Sequence, residues 1–385
     1  MRLSFDIRPT ASILLLLLIT PTTTQHAKIW TLFQLKDSHP ANSPTKPSWT
    51  IARRDVSTAS SPAISTPSNI TLPPSDTNPN PNSNTNDSIH PSLSQTALTP
   101  ILIPPNCYKQ NDIPIGWSVP LSTNIMDVQN RLAPHTTPCT YGTYAHITSK
   151  DNYGTKNMRT AALAAAKAHA VLSLSLQPFI PFSQISASRI AAEMTSLLQI
   201  LHDHNGHDQI YLRFAHEMNW YIDTNAIHHG PTHYHGTPTE FKTLWQAIAT
   251  AVDRNKIKMH YSPNIPGWPP DSLKKVHDTW YPGDGYVDIV GLDVYPQSRA
   301  VTFESAFGEL CDMYPGKAVQ LAETGWLRGG SVEERVYWWG EVTKAGSRGR
   351  CPGYVGFSWF EYLKGDKNSD GGDFRVSGLV GQGGG

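Results

Sequence analysis

Between Cys107 and Phe360 the chain repeats one alternation, a short apolar run followed by a helical stretch or a long loop. The runs fall near 113–119, 139–147, 171–177, 210–216, 258–262, 286–292, 318–323 and 353–360. Short, apolar and flanked by polar or turn-forming residues, they read as buried strands. Helices are expected between them from Lys156 to Ala170 with its alanine run, from Ser186 to His202, and from Pro238 to Asn255, where Thr-Pro-Thr-Glu can cap the start. Strand and helix in alternation predict a parallel sheet, and eight such units predict closure into a (β/α)8 barrel, an α/β fold. Residues 107–385 are close in length to the roughly 250 typical of one such barrel, so no second folded domain is expected. After the eighth run the chain is glycine-rich down to Gly-Gln-Gly-Gly-Gly. This predicts an absent or irregular eighth helix, or a chain cut short, with apolar surface on the first and last strands left to cover.

Upstream the character changes twice. Residues 1–24 carry Arg2 and Arg8, the apolar run Ile13 to Ile19, and then Thr-Pro-Thr-Thr-Thr. This reads as a secretory signal peptide, because the apolar run is far shorter than the roughly 20 residues a bilayer span needs. Residues 25–106 are expected to be a disordered linker, since Ser, Thr, Pro and Asn dominate from about Lys36 and cannot bury enough apolar area to offset ordering entropy. Such tracts are commonly O-glycosylated, and Asn69-Ile-Thr and Asn86-Asp-Ser are N-glycosylation acceptors. A secreted protein, extracellular or wall-associated, with no membrane attachment once the signal is removed, is the expectation.

The four cysteines, Cys107, Cys139, Cys311 and Cys351, allow three pairings. The first two precede the first two strands and the last two precede the last two, and adjacent strand entrances are close at the bottom of a barrel. Pairing of 107 with 139 and of 311 with 351 is therefore favoured.

Lysine plus arginine and aspartate plus glutamate both number 31, so there is no basic block and no footprint for a nucleic-acid partner. Tryptophans are plentiful, and on rim loops they suit the flat C–H faces of sugar rings. Trp245, Trp338 and Trp339 are expected to be packing residues instead. Histidines cluster at His202, His204 and His207 and again at His228, His229, His233 and His235, without His-Glu-x-x-His spacing. Neither a metal nor a cofactor is expected.

Two carboxylates end apolar runs. Glu217 follows the fourth run and Glu323 the seventh, which places both on the rim where a parallel barrel carries its chemistry. Paired carboxylates so presented are the working parts of a glycoside hydrolase.

The ordered motifs carry a family resemblance. His216-Glu217-Met218-Asn219 with Trp220, then Tyr261-Ser262-Pro263-Asn264, then Trp280-Tyr281-Pro282-Gly283-Asp284 leading to Val287 through Tyr295, then Glu323-Thr324-Gly325 and Trp359, resemble glycoside hydrolase family 26 over about residues 112–376. The resemblance implies a retaining hydrolase with Glu217 as acid/base and Glu323 as nucleophile. It further implies that Tyr295 hydrogen-bonds the nucleophile, that His216 stands beside the acid/base, and that Trp359 is the platform beneath the sugar. Trp220, Asp293, Gln177 and Asn264 are candidate substrate contacts.

One departure stands out: the family's usual glycine after His-Glu-Met-Asn is missing and Trp220-Tyr221 abut Asn219. The implied substrate is a wall polysaccharide, with β-1,4-mannan first as the polymer of the best-known members. Mixed-linkage β-glucan, β-1,3-xylan and a non-catalytic carbohydrate-binding role stay open. A monomer is expected.

Overall fold

A computed structural model describes residues 100–222, 233–265, 271–365 and 372–380. The signal peptide, Asn69 and Asn86, most of the expected linker, and His228 and His229 lie outside the described residues.

Eight parallel strands form in the expected order: β1 Ile113–Ser118, β2 Thr140–Ile147, β3 Val171–Pro178, β4 Ile210–Phe214, β5 Ile257–Tyr261, β6 Ile289–Val294, β7 Ala318–Thr324 and β8 Tyr354–Phe360. Each pairs with the next, and β1 pairs with β8 from Ile115↔Phe357 to Ser118↔Phe360, which closes the barrel. β6 begins three residues later than the sequence suggests, because Asp284–Tyr286 is a 3-10 turn. Where β1 meets β2 the Thr140 side chain fills the space a side chain at 116 would take: a Cβ on Gly116 would lie 1.8 Å from Thr140 Oγ1.

The outer helices are α1 Ile125–Leu132, α2 Thr155–Ala168, α3 Ala187–Asp203, α4 Pro238–Ala251, α5 Asp271–Trp280, α6 Phe303–Met313 and α7 Val332–Val342. Local chemistry sets their starts. Ser186 caps α3 by accepting from the Arg189 amide, and Thr237 with Glu240 and Ser331 with Glu334 form capping boxes on α4 and α7. On α2 a stripe of small residues, Ala161, Ala162, Ala165, Ala166 and Ala168, is buried against the strands. Trp245, Trp338 and Trp339 are buried between helices and barrel, as packing residues should be.

Among the described residues the barrel closes without a full eighth helix. Glu361, just past β8, accepts from the Val376 amide at 2.8 Å and the Ser377 hydroxyl at 2.6 Å, which folds the tail back. A single turn, α8 Ser377–Val380, then lies against α1, with Val376 buried in the core. The two disulfides pair Cys107 with Cys139 and Cys311 with Cys351, as the strand entrances suggest.

The packed chain starts earlier than the compositional boundary at 106. Ile101 and Leu102, together with Ala318 at the entrance of β7, pack on Val171, Tyr211 and Ile289 at the entrances of β3, β4 and β6. The Leu102 amide donates to Gln209 Oε1 at 2.7 Å, and the Tyr211 hydroxyl donates to the Leu102 carbonyl at 2.5 Å. Residues 100–103 therefore plug the lower mouth. A chain starting at residue 107 should be less stable than one starting at 100 by about 3 kcal/mol in urea unfolding, from two partly buried aliphatic side chains and two hydrogen bonds. Equal midpoints would show that the plug adds nothing.

Candidate active site

The strands deliver their carboxyl ends to one rim, and the side chains there line a cavity of about 550 Å³, within the range of roughly 300–1,000 Å³ usual for ligand sites. Glu217 and Glu323 both open into it, together with Gln177, His216, Trp220, Asn264 and Tyr295.

The two glutamates are presented differently. Glu323 belongs to β7 itself, opposite Asp293 on β6, where the register shifts between Leu292 and Asp293. Such a bulge re-aims side chains at a barrel rim. Glu217 lies past the end of β4, where the chain turns sharply: Ala215 and Glu217 have φ of 47° and 54°, a left-handed conformation that non-glycine residues avoid. The cost is on the order of 1–3 kcal/mol for each such residue. It is held by the Glu217 amide, which donates to the Ser262 carbonyl at 2.8 Å, and by the single helical turn Met218–Tyr221 that follows.

Their electrostatic settings also differ. Burial raises the Glu217 carboxyl, the charge of Glu323 raises it further, and the Asn264 hydrogen bond, Arg213 and Lys364 pull it partly back, leaving it at about 7. Asn264 Nδ2 donates to Glu217 Oε1 at 2.7 Å, and the Asn264 amide donates to Asn219 Oδ1 at 3.0 Å, so Asn219 fixes the residue that fixes Glu217. Glu323, in contrast, is surrounded by donors. Tyr295 donates to its Oε1, Tyr144 donates to its Oε2, and Arg213 Nη1 lies 3.4 Å from Oε2.

Arg213, on β4, is one residue that the sequence reading missed. Its side chain is fully buried, donating from Nη2 to Asp293 and from Nε to Ser262 Oγ at 3.0 Å. Burial disfavours its charge, but Asp293 and Glu323 together outweigh that and hold it more firmly cationic than usual. A charged residue inside an otherwise apolar strand run was the available signal. His216 is driven well below its ordinary value by burial and by the Arg213 charge, so it is neutral. His216, Asp293 and Glu323 bring potential ligand atoms within 4.8 Å of one another. The cation among the two carboxylates is the guanidinium of Arg213, which bonds both. Activity is therefore expected to survive a chelator.

Two expectations need correction. Trp359 does not face the cavity: it is 0 % exposed, with Nε1 donating to the Phe374 carbonyl at 2.8 Å and its ring against Trp339. Alternation along β8 sends Trp359 to the helix layer and Phe360 to the rim. Phe360 and Tyr362, stacked at 4.1 Å between centroids, line the cavity instead. Asp293 is likewise no substrate contact, being 0 % exposed beneath the cavity and bonded to Arg213.

Because Glu217 prefers its neutral form in the fold, its contribution to stability is complete below the ordinary value of 4.5 and is lost as pH rises through about 7. Glu217→Gln keeps an acceptor for Asn264 and removes the ionisation. Its gain in unfolding free energy over the natural chain should be near zero at pH 4 and on the order of 3 kcal/mol at pH 8. A gain independent of pH would contradict the raised value.

Residues 188–344 match the model of glycosyl hydrolase family 26, which bears out the resemblance read from the ordered motifs. Similar solved structures include a Bacillus subtilis mannanase at 15% identity and TM-score 0.44, covering 71% of this chain and 85% of that one. Others are the catalytic domain of an endo-β-1,4-mannanase from a Bacillus species, at 18% and 0.43 over 71% and 85%, and a β-mannanase from Bacteroides ovatus, at 17% and 0.44 over 70% and 86%. No curated protein sequence matches the chain.

Proposed function

We propose that this glycoside hydrolase, assigned to family 26 by residues 188–344, is a secreted, endo-acting β-glycanase that works with retention of configuration, with β-1,4-mannan as its first candidate substrate. One observation carries the reading: a single cavity holds one carboxyl pushed up to about 7 and a second whose oxygens are both engaged by donors. A double displacement needs that asymmetry.

In the first step a Glu323 oxygen attacks the anomeric carbon. The glycosidic C–O bond breaks, its electron pair leaves with the aglycone oxygen, and Glu217 gives that oxygen its proton. Glu217, now ionised, then takes a proton from water as the water oxygen attacks the anomeric carbon and the ester electrons return to Glu323. Asn264 keeps Glu217 in place through both steps, and Phe360 and Tyr362 offer aromatic surface to the sugar. Mannan as the first polymer is supported by the motif resemblance, and secretion by the composition of residues 1–24.

The test is release of reducing ends from β-1,4-mannan, mixed-linkage β-glucan and β-1,3-xylan in parallel, with Glu323→Gln as the blank. Release from mannan with the configuration of the first product retained is expected, and Glu323→Gln should lose turnover while still binding. Release from none by folded protein, or an inverted first product, would refute the reading. Since Glu217 must enter the cycle protonated, kcat/KM should fall as pH rises through about 7. A basic limb that lies far from there would argue against Glu217 as the acid.

A further inference from the structure

Glu323 is held from two directions. Tyr295, at the end of β6, donates to Oε1, and Tyr144, on β2, donates to Oε2. In a ring of eight strands β2 and β6 are four apart, so the two phenols reach the carboxylate from across the mouth. The motif resemblance supplies a role for Tyr295 alone.

We infer that Tyr144 is a second positioning residue for the nucleophile, and that Tyr144 and Tyr295 act as one clamp fixing the plane of the Glu323 carboxylate. The inference rests on Glu323 being the nucleophile. A carboxylate held at one oxygen still turns about its last side-chain bond, a broad torsion with little intrinsic preference. Held at both oxygens it cannot turn without breaking a hydrogen bond.

Tyr144 is built for this task. Its ring packs against His216 at 5.4 Å and meets Tyr362 edge-on at 6.2 Å, so the hydroxyl arrives on a fixed support. Burial, and then the charge of Glu323, push that hydroxyl well above its ordinary value, so it keeps its proton and acts only as a donor. Tyr144 transfers nothing during the reaction. Oε2 also takes Arg213 Nη1, so it is Oε1, held by Tyr295, whose second lone pair is left for the anomeric carbon while the clamp holds.

Tyr144→Phe removes one hydroxyl and keeps the ring, so Tyr144→Phe, Tyr295→Phe and the double variant can be compared at matched thermal midpoints. Loss of alignment predicts that Tyr144→Phe lowers kcat by about 10- to 100-fold with KM nearly unchanged. Because both variants release the same carboxylate, the double variant should lose little more than the worse single one. A wild-type kcat with only KM altered in Tyr144→Phe, or losses that multiply in the double variant, would overturn the clamp. Glu323→Gln separates the two levels of the argument: if it stays active, the nucleophile assignment fails, and if it is inactive while Tyr144→Phe turns over normally, only the clamp fails.

Discussion

A guanidinium without water must be surrounded by acceptors, and Arg213 is 1% exposed at the centre of the barrel mouth. Its desolvation costs several kcal/mol by general experience, recovered only if every donor finds a partner in good geometry. Asp293 from β6, Glu323 from β7 and Ser262 from the end of β5 provide those partners. One cation thereby ties together the ends of four strands, β4 to β7. It also sets the charge at which the rest of the site works, bonding the Glu323 carboxylate and adding to burial in driving His216 well below its ordinary value.

The remaining features fit around that charge. Burial pushes Glu217 towards its neutral form, and the charge of Glu323 at the same cavity pushes it the same way. The left-handed turn through Ala215 and Glu217 lifts the acid off the strand, whereas Glu323 stays within its own. The carboxyl proposed to move a proton thus sits on a strained corner, and the carboxyl proposed to attack sits within a strand, with a tyrosine donating to each of its oxygens.

Much of this was legible in the sequence, and the gaps have physical causes. Strand count, order and both disulfides follow from apolar runs and from where cysteines enter them, because barrel closure leaves little choice once eight parallel units exist. Trp359 was misplaced because motif resemblance ignores which face of a strand a residue takes. Alternation with Phe360, whose ring reaches the cavity, decides that. Arg213 was hidden because it interrupts an apolar run without ending it. Tyr144 was hidden because its partner is 179 residues away and no local pattern announces the contact. Residues 100–103 continue a proline-rich composition, yet Ile101-Leu102-Ile103 was the sign that the linker had ended.

The central claim is that Glu323 forms a covalent bond to the sugar. An activated 2-deoxy-2-fluoro glycoside slows the second displacement more than the first, so the glycosyl-enzyme accumulates and can be mapped by proteolysis and mass spectrometry. The account predicts one added sugar on the peptide containing Glu323, and none in Glu323→Gln. A label on another residue, or none from a sugar whose polymer the protein does hydrolyse, would contradict it.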